Sequence, residues 1–431
     1  MGWQKTETDA RRATDLSPQP TDSDVLIVGA GPVGAALGAL LLTDGTVAHG
    51  RIVLLDPQLP EPRIALADLP LDLRVFALSR ASERILRSCG AWQALASSAI
   101  SPYTKMAVWV GDADPRAGGG LVFDAAEQAE ANLGHIVANN LLQLGLLQRF
   151  ESLGGRVLRG SLGALEFQSD RVVAQQEQDG TTLSTRLLVG ADGGQSTVRR
   201  LAGISLESAS YQQTAIVANV RGERPHEATA WQRFLGHGTL AFLPLANGEV
   251  SVVWSLPTAM AAEYMAMAAD DFAAQMTRDS AAVLGRLSLR SDRVSFPLRR
   301  QHVDQYISER CVLAGDAAHV VHPLAGQGVN LGLLDAAALA DTLAAAHAEG
   351  EDLGAARVLR NYERWRRSEN ELMSQAMDVI NRFLATGDDT WSQWARRGMN
   401  AVGDNAPLRR WFASRALGVA GDLPRAARGR K

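Results

Sequence analysis

The densest set of chemistry-bearing residues in this chain is Gly315-Asp316 followed by His322-Pro323-Leu324-Ala325-Gly326-Gln327-Gly328-Val329-Asn330. An apolar run, Cys311 to Ala314, leads into it, and an Ala/Leu-rich stretch that predicts a long helix from near Gly328 leads out. The loop's glycines let backbone come close to a flat ligand with no Cβ in the way. Free N–H groups at the following helix start attract an anionic or electron-rich group. Asp316, at a strand end, can accept hydrogen bonds from a polyol or can cap a helix. His319 and His322 would suit a metal only on a helix, and the segment between them leads into Pro323, so no metal site is expected.

A second constellation lies near the start. Asp24 to Val28 is a short apolar strand, Gly29-Ala30-Gly31-Pro32-Val33-Gly34 turns into a helix, and Arg51 to Asp56 is a second strand ending in an acid. This is the βαβ fingerprint of dinucleotide sites. Gly29 makes the tight turn, Gly31 admits a pyrophosphate, Gly34 lets helix pack on strand, and Asp56 is placed for the adenosine ribose. The pattern alone does not separate FAD from NAD. Gly190-Ala191-Asp192-Gly193 is a further acidic strand end, with Ser196 placed to cap a helix. With the Gly326–Asn330 loop, these elements read as a flavin site.

The elements that must hold these residues follow from the pattern. Length, at 431 residues, favours two domains. A net charge of −4 gives no reason to expect nucleic acid. Cys89 and Cys311 form no metal spacing or disulfide framework and fit a reducing compartment. No apolar run reaches the roughly 20 residues of a membrane span. Met1 to Asp24 reads as a disordered lead; its acids argue against a transit peptide, and its opening only loosely fits a myristoylation pattern. From Tyr211 to Leu256 the apolar period becomes two, which predicts an inserted antiparallel sheet. The stretch from Gly134 to Leu153 reads as helix-rich, and Leu71 to Leu78 as a strand. Leu372, Ala376, Val379, Ile380, Phe383 and Leu384 make a 3.6-period stripe. Residues 381–431 hold ten Lys/Arg against four Asp/Glu, with Trp391, Trp394, Trp411 and Phe412 among them. That segment is either a helix docked on its own domain or a surface for a membrane or partner.

The expected fold is α/β: a Rossmann-like FAD-binding domain with a parallel sheet, an inserted antiparallel substrate domain, and a C-terminal helical segment. The expected division is a lead at 1–22, FAD-binding pieces at 23–100, 134–205 and 297–385, substrate pieces at 101–133 and 206–296, and a basic tail at 386–431.

The three site elements in this order, with the Arg74 strand between the first two, resemble the para-hydroxybenzoate hydroxylase group of flavin hydroxylases. His322-Pro-Leu-Ala-Gly-Gln-Gly-x-Asn-x-Gly-x-x-Asp335 is similar to the signature of the UbiH/VisC ubiquinone-biosynthesis monooxygenases, and is complete here. Arg74 to Ser79 and Ala241 to Leu245 resemble that family too. Tyr103-x-x-Met106-x-Val108-Trp109 and Gly134-His135-Ile136-Val137 are most similar to its VisC-type 2-polyprenylphenol hydroxylases; Ala138-Asn139-Asn140 departs where Glu-Asn is usual.

The resemblance implies that Gly29, Gly31 and Gly34 face the FAD pyrophosphate, Asp56 the ribose, and Arg74 the pyrophosphate and ribityl chain. Asp192 belongs to a motif used near FAD and NAD(P)H, and Gly315-Asp316 would hold the ribityl hydroxyls. Gly326, Gly328, Val329 and Asn330 would line the isoalloxazine, with the helix dipole favouring reduced, anionic flavin. The implied reaction uses NAD(P)H and O2 to hydroxylate a polyprenylated phenol, at ring C5, through a C4a-hydroperoxyflavin. The second sheet and the loop at Pro323 and Leu324 would wall the ring, and His322 stands between a phenol-proton role and a structural hydrogen bond. Implied partners are the polyprenylphenol and O2; a ubiquinone-biosynthesis complex, peripheral inner-membrane contact from the cytoplasm, and a homodimer stay open. A reductase or dehydrogenase on the same scaffold is the rival enzyme, and a flavin-loaded scaffold protein the non-enzyme rival.

Overall fold

A computed structural model describes residues 21–60, 65–70, 72–95, 99–111, 113–117, 120–322, 326–385, 397–399, 402 and 405–429. Residues 1–20, where most of the expected lead and the myristoylation pattern fall, and Trp391 and Trp394 lie outside the described residues.

Five parallel strands form the centre of an eight-stranded sheet, in the order Cys311–Leu313, Thr182–Gly190, Thr21–Val28, Ile52–Asp56 and Arg156–Arg159. Val25, Leu26 and Ile27 are completely buried. Such continuous apolar runs are what a sheet covered on both faces requires. The helices Pro32–Thr43, Asn139–Ser152 and Gln327–Ala348 pack around it. Gln327–Ala348 is long and apolar enough to cross a membrane, but 72% of its apolar window is buried inside this fold.

A nine-stranded sheet forms the second layer. Its strands Val294–Val303, Leu206–Gly222, Val250–Pro257, Gly238–Pro244 and Thr229–Leu235 pair antiparallel in that order. Lys105–Val110 then joins Thr229–Leu235 in parallel and carries Leu121–Asp124 beyond it. The strands from Tyr211 to Leu256 thus pair antiparallel as expected, and only the earlier strand Lys105–Val110 makes the whole sheet mixed. A parallel neighbour requires a long crossover, and here it arrives from the chain before the insertion.

Alternation assigns the two faces of this sheet. Val250, Val252, Trp254 and Leu256 pack with Trp109, Phe242 and Phe272 against the helices Thr258–Ala266 and Ala269–Asp279. Ser251, Val253 and Ser255 therefore face the flavin-type domain.

Several elements differ from the sequence reading. Gly134–Ala138 is a strand, paired with Val75–Ser79 and Ser101–Tyr103 in a small third sheet, and the helix begins only at Asn139. Its apolar run is too short to distinguish strand from helix by period. The first strand starts at Thr21, two residues inside the expected lead. Of the expected stripe on the helix Ala356–Ala385, Leu372 is 52% and Val379 64% exposed and Ile380 is partly buried, while Arg366, Asn370, Ser374, Asp378 and Asn381 are buried; the side chains of Phe383 and Leu384 lie outside the described ones.

Candidate functional site

Where the two larger sheets face each other they enclose a cavity of about 1050 Å³. Gly29, Gly31, Asp56, Arg74, Asp192, Asp316, Gly326, Gly328 and Val329 all line it. Residues from four separate stretches of the sequence thus share one space, at the C-terminal ends of the parallel strands.

The glycines divide the work. Gly29 has φ +107°, and a Cβ there would fall 2.2 Å from the Ala191 carbonyl oxygen. At Gly34 it would fall 2.0 Å from the Gly29 carbonyl oxygen. These two hold strand, turn and helix together. Gly31 has nothing within 4 Å of its would-be Cβ, so its bare backbone opens on the cavity at the first turn of Pro32–Thr43. That is the cradle a pyrophosphate needs. Asp56 is already oriented: Ala30 N–H donates to Oδ2 at 2.7 Å and Gln58 N–H to Oδ1 at 2.7 Å.

At the other constellation, Gly326 is in the left-handed region at φ +64° and precedes the helix start at Gln327. The nearest atom to a Cβ on Gly328 would be Asp316 Oδ1, 4.0 Å away. The first N–H groups of the helix and the Asp316 carboxylate therefore border the same open space. Burial pushes the Asp316 carboxyl above its usual range, while the charges of His319 and Arg74 oppose the rise. These features fit FAD: space for a pyrophosphate at Gly31, a polyol acceptor at Asp316, and a positive helix end for an electron-rich ring edge.

Four expected residues are also engaged within the fold. Asp192 lines the cavity, but its carboxylate also accepts from Ser196 Oγ and from the N–H groups of Thr197 and Val198, and so caps the helix Thr197–Leu201. Asn330 is turned away from the cavity. Its Nδ2 donates to Ala77 O and Gly326 O, and its Oδ1 accepts from Ser79 N–H and Ser82 Oγ. It staples the loop to the Arg74 strand. Gly315, at φ +63°, donates its N–H to Asp335 Oδ2 at 3.1 Å and sets the turn that presents Asp316. His322 is 1% exposed and does not reach the cavity; its Nε2 is 3.0 Å from Gln213 Oε1, and its ring lies edge-on to Tyr211. Burial lowers its pKa to about 4, against the opposing charge of Asp378. Pro323 and Leu324 lie outside the described residues.

Sequence reasoning missed the polar cluster beneath the site. Asp335 Oδ2 accepts from His319 Nε2 at 2.6 Å, and Oδ1 from Arg366 Nε at 2.8 Å and Asn370 Nδ2 at 2.9 Å. Burial alone would raise the Asp335 carboxyl, but His319 and Arg366 hold it well below the usual carboxylate range. The far wall of the cavity is Val217, Ala241, Leu243 and Val253 of the second sheet, which was expected to wall the ring but without its facing residues being named. A period of two marks two faces without saying which one meets a ligand.

The family model described as FAD binding domain matches residues 22–376. The chain belongs to this FAD-binding family. Within it, the ubiquinone hydroxylase UbiL of Rhodospirillum rubrum is 36% identical, covering 92% of this chain and 90% of the relative. The 3-demethoxyubiquinol 3-hydroxylase of Escherichia coli is 35% identical over 94% of this chain and 100% of the relative. The mitochondrial ubiquinone biosynthesis monooxygenase of Homo sapiens is 31% identical over 90% of each chain. The protein is thus a member of the ubiquinone-biosynthesis monooxygenases, FAD-dependent enzymes. Among solved structures, p-nitrophenol 4-monooxygenase PnpA from Pseudomonas putida superposes with a TM-score of 0.73 at 18% identity, covering 94% of this chain and all of that one. That likeness speaks to the fold.

Proposed function

We propose that this protein uses FAD, NAD(P)H and O2 to hydroxylate the ring of a polyprenylated phenol in ubiquinone biosynthesis, at ring C5. The observation that carries this reading is one continuous cavity running from Gly31 and Asp56, past Asp316 and Gly328, to the face of the nine-stranded sheet that carries Ala241, Leu243 and Val253. Bound FAD would supply the oxygen-activating chemistry. The chain's residues do the rest. Gly31 and the helix start behind it would take the pyrophosphate, Asp56 the ribose, Arg74 the adjoining phosphates and Asp316 the ribityl hydroxyls. The N–H groups at the start of Gln327–Ala348 would favour negative charge on the flavin ring. Val217, Ala241, Leu243 and Val253 would keep water from the reacting atoms. NAD(P)H would visit the cavity rather than occupy a fold of its own.

The choice of ring C5 rests on the likeness of Tyr103-x-x-Met106-x-Val108-Trp109 and Gly134 to Val137 to the VisC-type enzymes. We place the protein in the cytoplasm, at the periphery of the inner membrane, where so apolar a substrate resides. Contact with other proteins of the same pathway, or with a second copy, belongs to this proposal. The test is turnover of the FAD-loaded protein with NAD(P)H, labelled O2 and a polyprenylphenol, followed by product analysis. One labelled oxygen on ring C5 is the expected product. NAD(P)H consumption that reduces or dehydrogenates the phenol without incorporating oxygen would overturn the proposal in favour of a reductase or dehydrogenase.

A further inference from the structure

One end of the cavity is walled by residues that play no part in holding FAD. Tyr103, Met106, Phe123 and Leu133 come from the chain between the first two flavin-side pieces, and Ala413 and Leu417 from the C-terminal helix Ala406–Ala416 and its end. Leu133 and Leu417 are buried in one cluster, with Tyr103, Met106 and Phe123 packed on it. The C-terminal helix is fastened over this end. Arg409 donates to both carboxylate oxygens of Glu127, at 2.8 and 3.0 Å, and the Leu417 carbonyl accepts from Ala81 N–H at 3.3 Å.

The lining is apolar with one exception. The Tyr103 hydroxyl makes no hydrogen bond with any described residue. Burial pushes its pKa up to about 12, so it stays a neutral donor. It packs close on Gly134, where a Cβ would fall only 3.0 Å from it. The residue is half-buried and its hydroxyl opens on the cavity, so an occupant that displaces water there without offering an acceptor leaves the donor unmatched, at a cost in affinity. An occupant that suits this end must therefore bring one oxygen to Tyr103 and hydrocarbon to everything else. A phenol with a polyprenyl chain on the neighbouring ring carbon has that shape.

Resting on the function proposed above, we infer that this end of the cavity holds the first part of the substrate's polyprenyl chain, with the Tyr103 hydroxyl donating to the ring oxygen beside it. Tyr103 is then a positioning residue and the C-terminal helix a wall of the substrate site, selecting for chain length. Neither role follows from the FAD-binding residues.

Binding and turnover are measured separately on the full, FAD-loaded chain. Flavin absorbance reports titration with two phenols, one carrying a long polyprenyl chain and one a single prenyl unit, without NAD(P)H. Wild type is expected to prefer the long chain. Leu417→Trp, which fills the branch, lowers the ratio of long- to short-chain affinity about tenfold or more, the equivalent of losing about two buried CH2 groups. Ala413→Leu, a milder filling, moves the ratio in the same direction should the larger residue fail to fold. Tyr103→Phe weakens both phenols about fivefold and raises KM more than it lowers kcat. An unchanged chain-length ratio in both filling variants, or unchanged affinity in Tyr103→Phe, overturns the inference. Binding with the expected ratios but without ring hydroxylation leaves the branch standing and removes the proposed function. Failure of wild type to bind either phenol removes both.

Discussion

Gly29 and Gly31 sit two positions apart and do opposite things. Gly29 needs both its positive φ and its missing Cβ to pass the Ala191 carbonyl, so Gly29→Ala is expected to break the turn and destabilise the fold. Gly31 has an ordinary φ of −71° and only the cavity beside it. Gly31→Val should therefore leave circular dichroism and the apoprotein's thermal midpoint nearly unchanged, yet weaken FAD about 100-fold or more. Comparable loss of stability in both variants would refute this division.

The histidines give a second test at this scale. Unfolded, His322 and His135 each take up a proton as pH falls through 6.5; folded, burial delays that uptake to about 4. Between those values the unfolded state holds more protons, so each costs about 1.4 kcal/mol of stability per pH unit on acidification. His322→Gln should make the fall of the thermal midpoint between pH 7 and 5 shallower. An unaltered slope would mean that His322 is not held neutral in the fold.

At the scale of the element, the helix Ala356–Ala385 buries its polar side. Arg366 and Asn370 converge on Asp335, and Asp378 meets the Tyr211 hydroxyl and Arg300. Tyr211 and Gln213 reach this helix because the strand Leu206–Gly222 bulges between Ser210 and Thr214, with Gln212 at φ +55°. The helix thereby joins both large sheets through hydrogen bonds in a low-dielectric setting. Removing one partner strands the others, so Asp335→Ala should cost about 3–5 kcal/mol, read as a lowered denaturant midpoint. Because Asp335 also fixes Gly315, the same variant should weaken FAD. A small change in both measurements would show that the cluster is not what sets this turn.

Across the whole molecule, the cavity is assembled from both large sheets, the small third sheet and the C-terminal helix, and no one segment encloses it. The basic C-terminal segment spends part of its charge on its own fold: Arg409 pairs with Glu127 and Arg425 with Asp341. Its docking is tight enough to bury Ala413, Leu417 and Ala427. Truncation after Asn405 removes one wall of the cavity. It should lower the thermal midpoint and admit water, so that NAD(P)H oxidation outruns product formation. Coupling equal to that of the full chain would show that the C-terminal helix does not seal the site.

The sequence by itself determined the cofactor half of this protein. A glycine turn between an apolar strand and a helix, with an acid closing the next strand, is a local device whose chemistry is set by residues close together in the chain. The signature from His322 to Asp335 named the family for the same reason. Only tertiary structure decided which face of the second sheet meets the ligand, since alternation is symmetric until something covers one side. It alone revealed that the Asn330 side chain staples the loop to the Arg74 strand, because its partners at Ala77, Ser79 and Ser82 are remote in sequence. Likewise, hydrophobic periodicity did not find the buried polar residues of Ala356–Ala385. Periodicity assumes that apolar residues point inward, and here buried hydrogen bonds to Asp335 and Tyr211 outweigh the exposure of Leu372 and Val379.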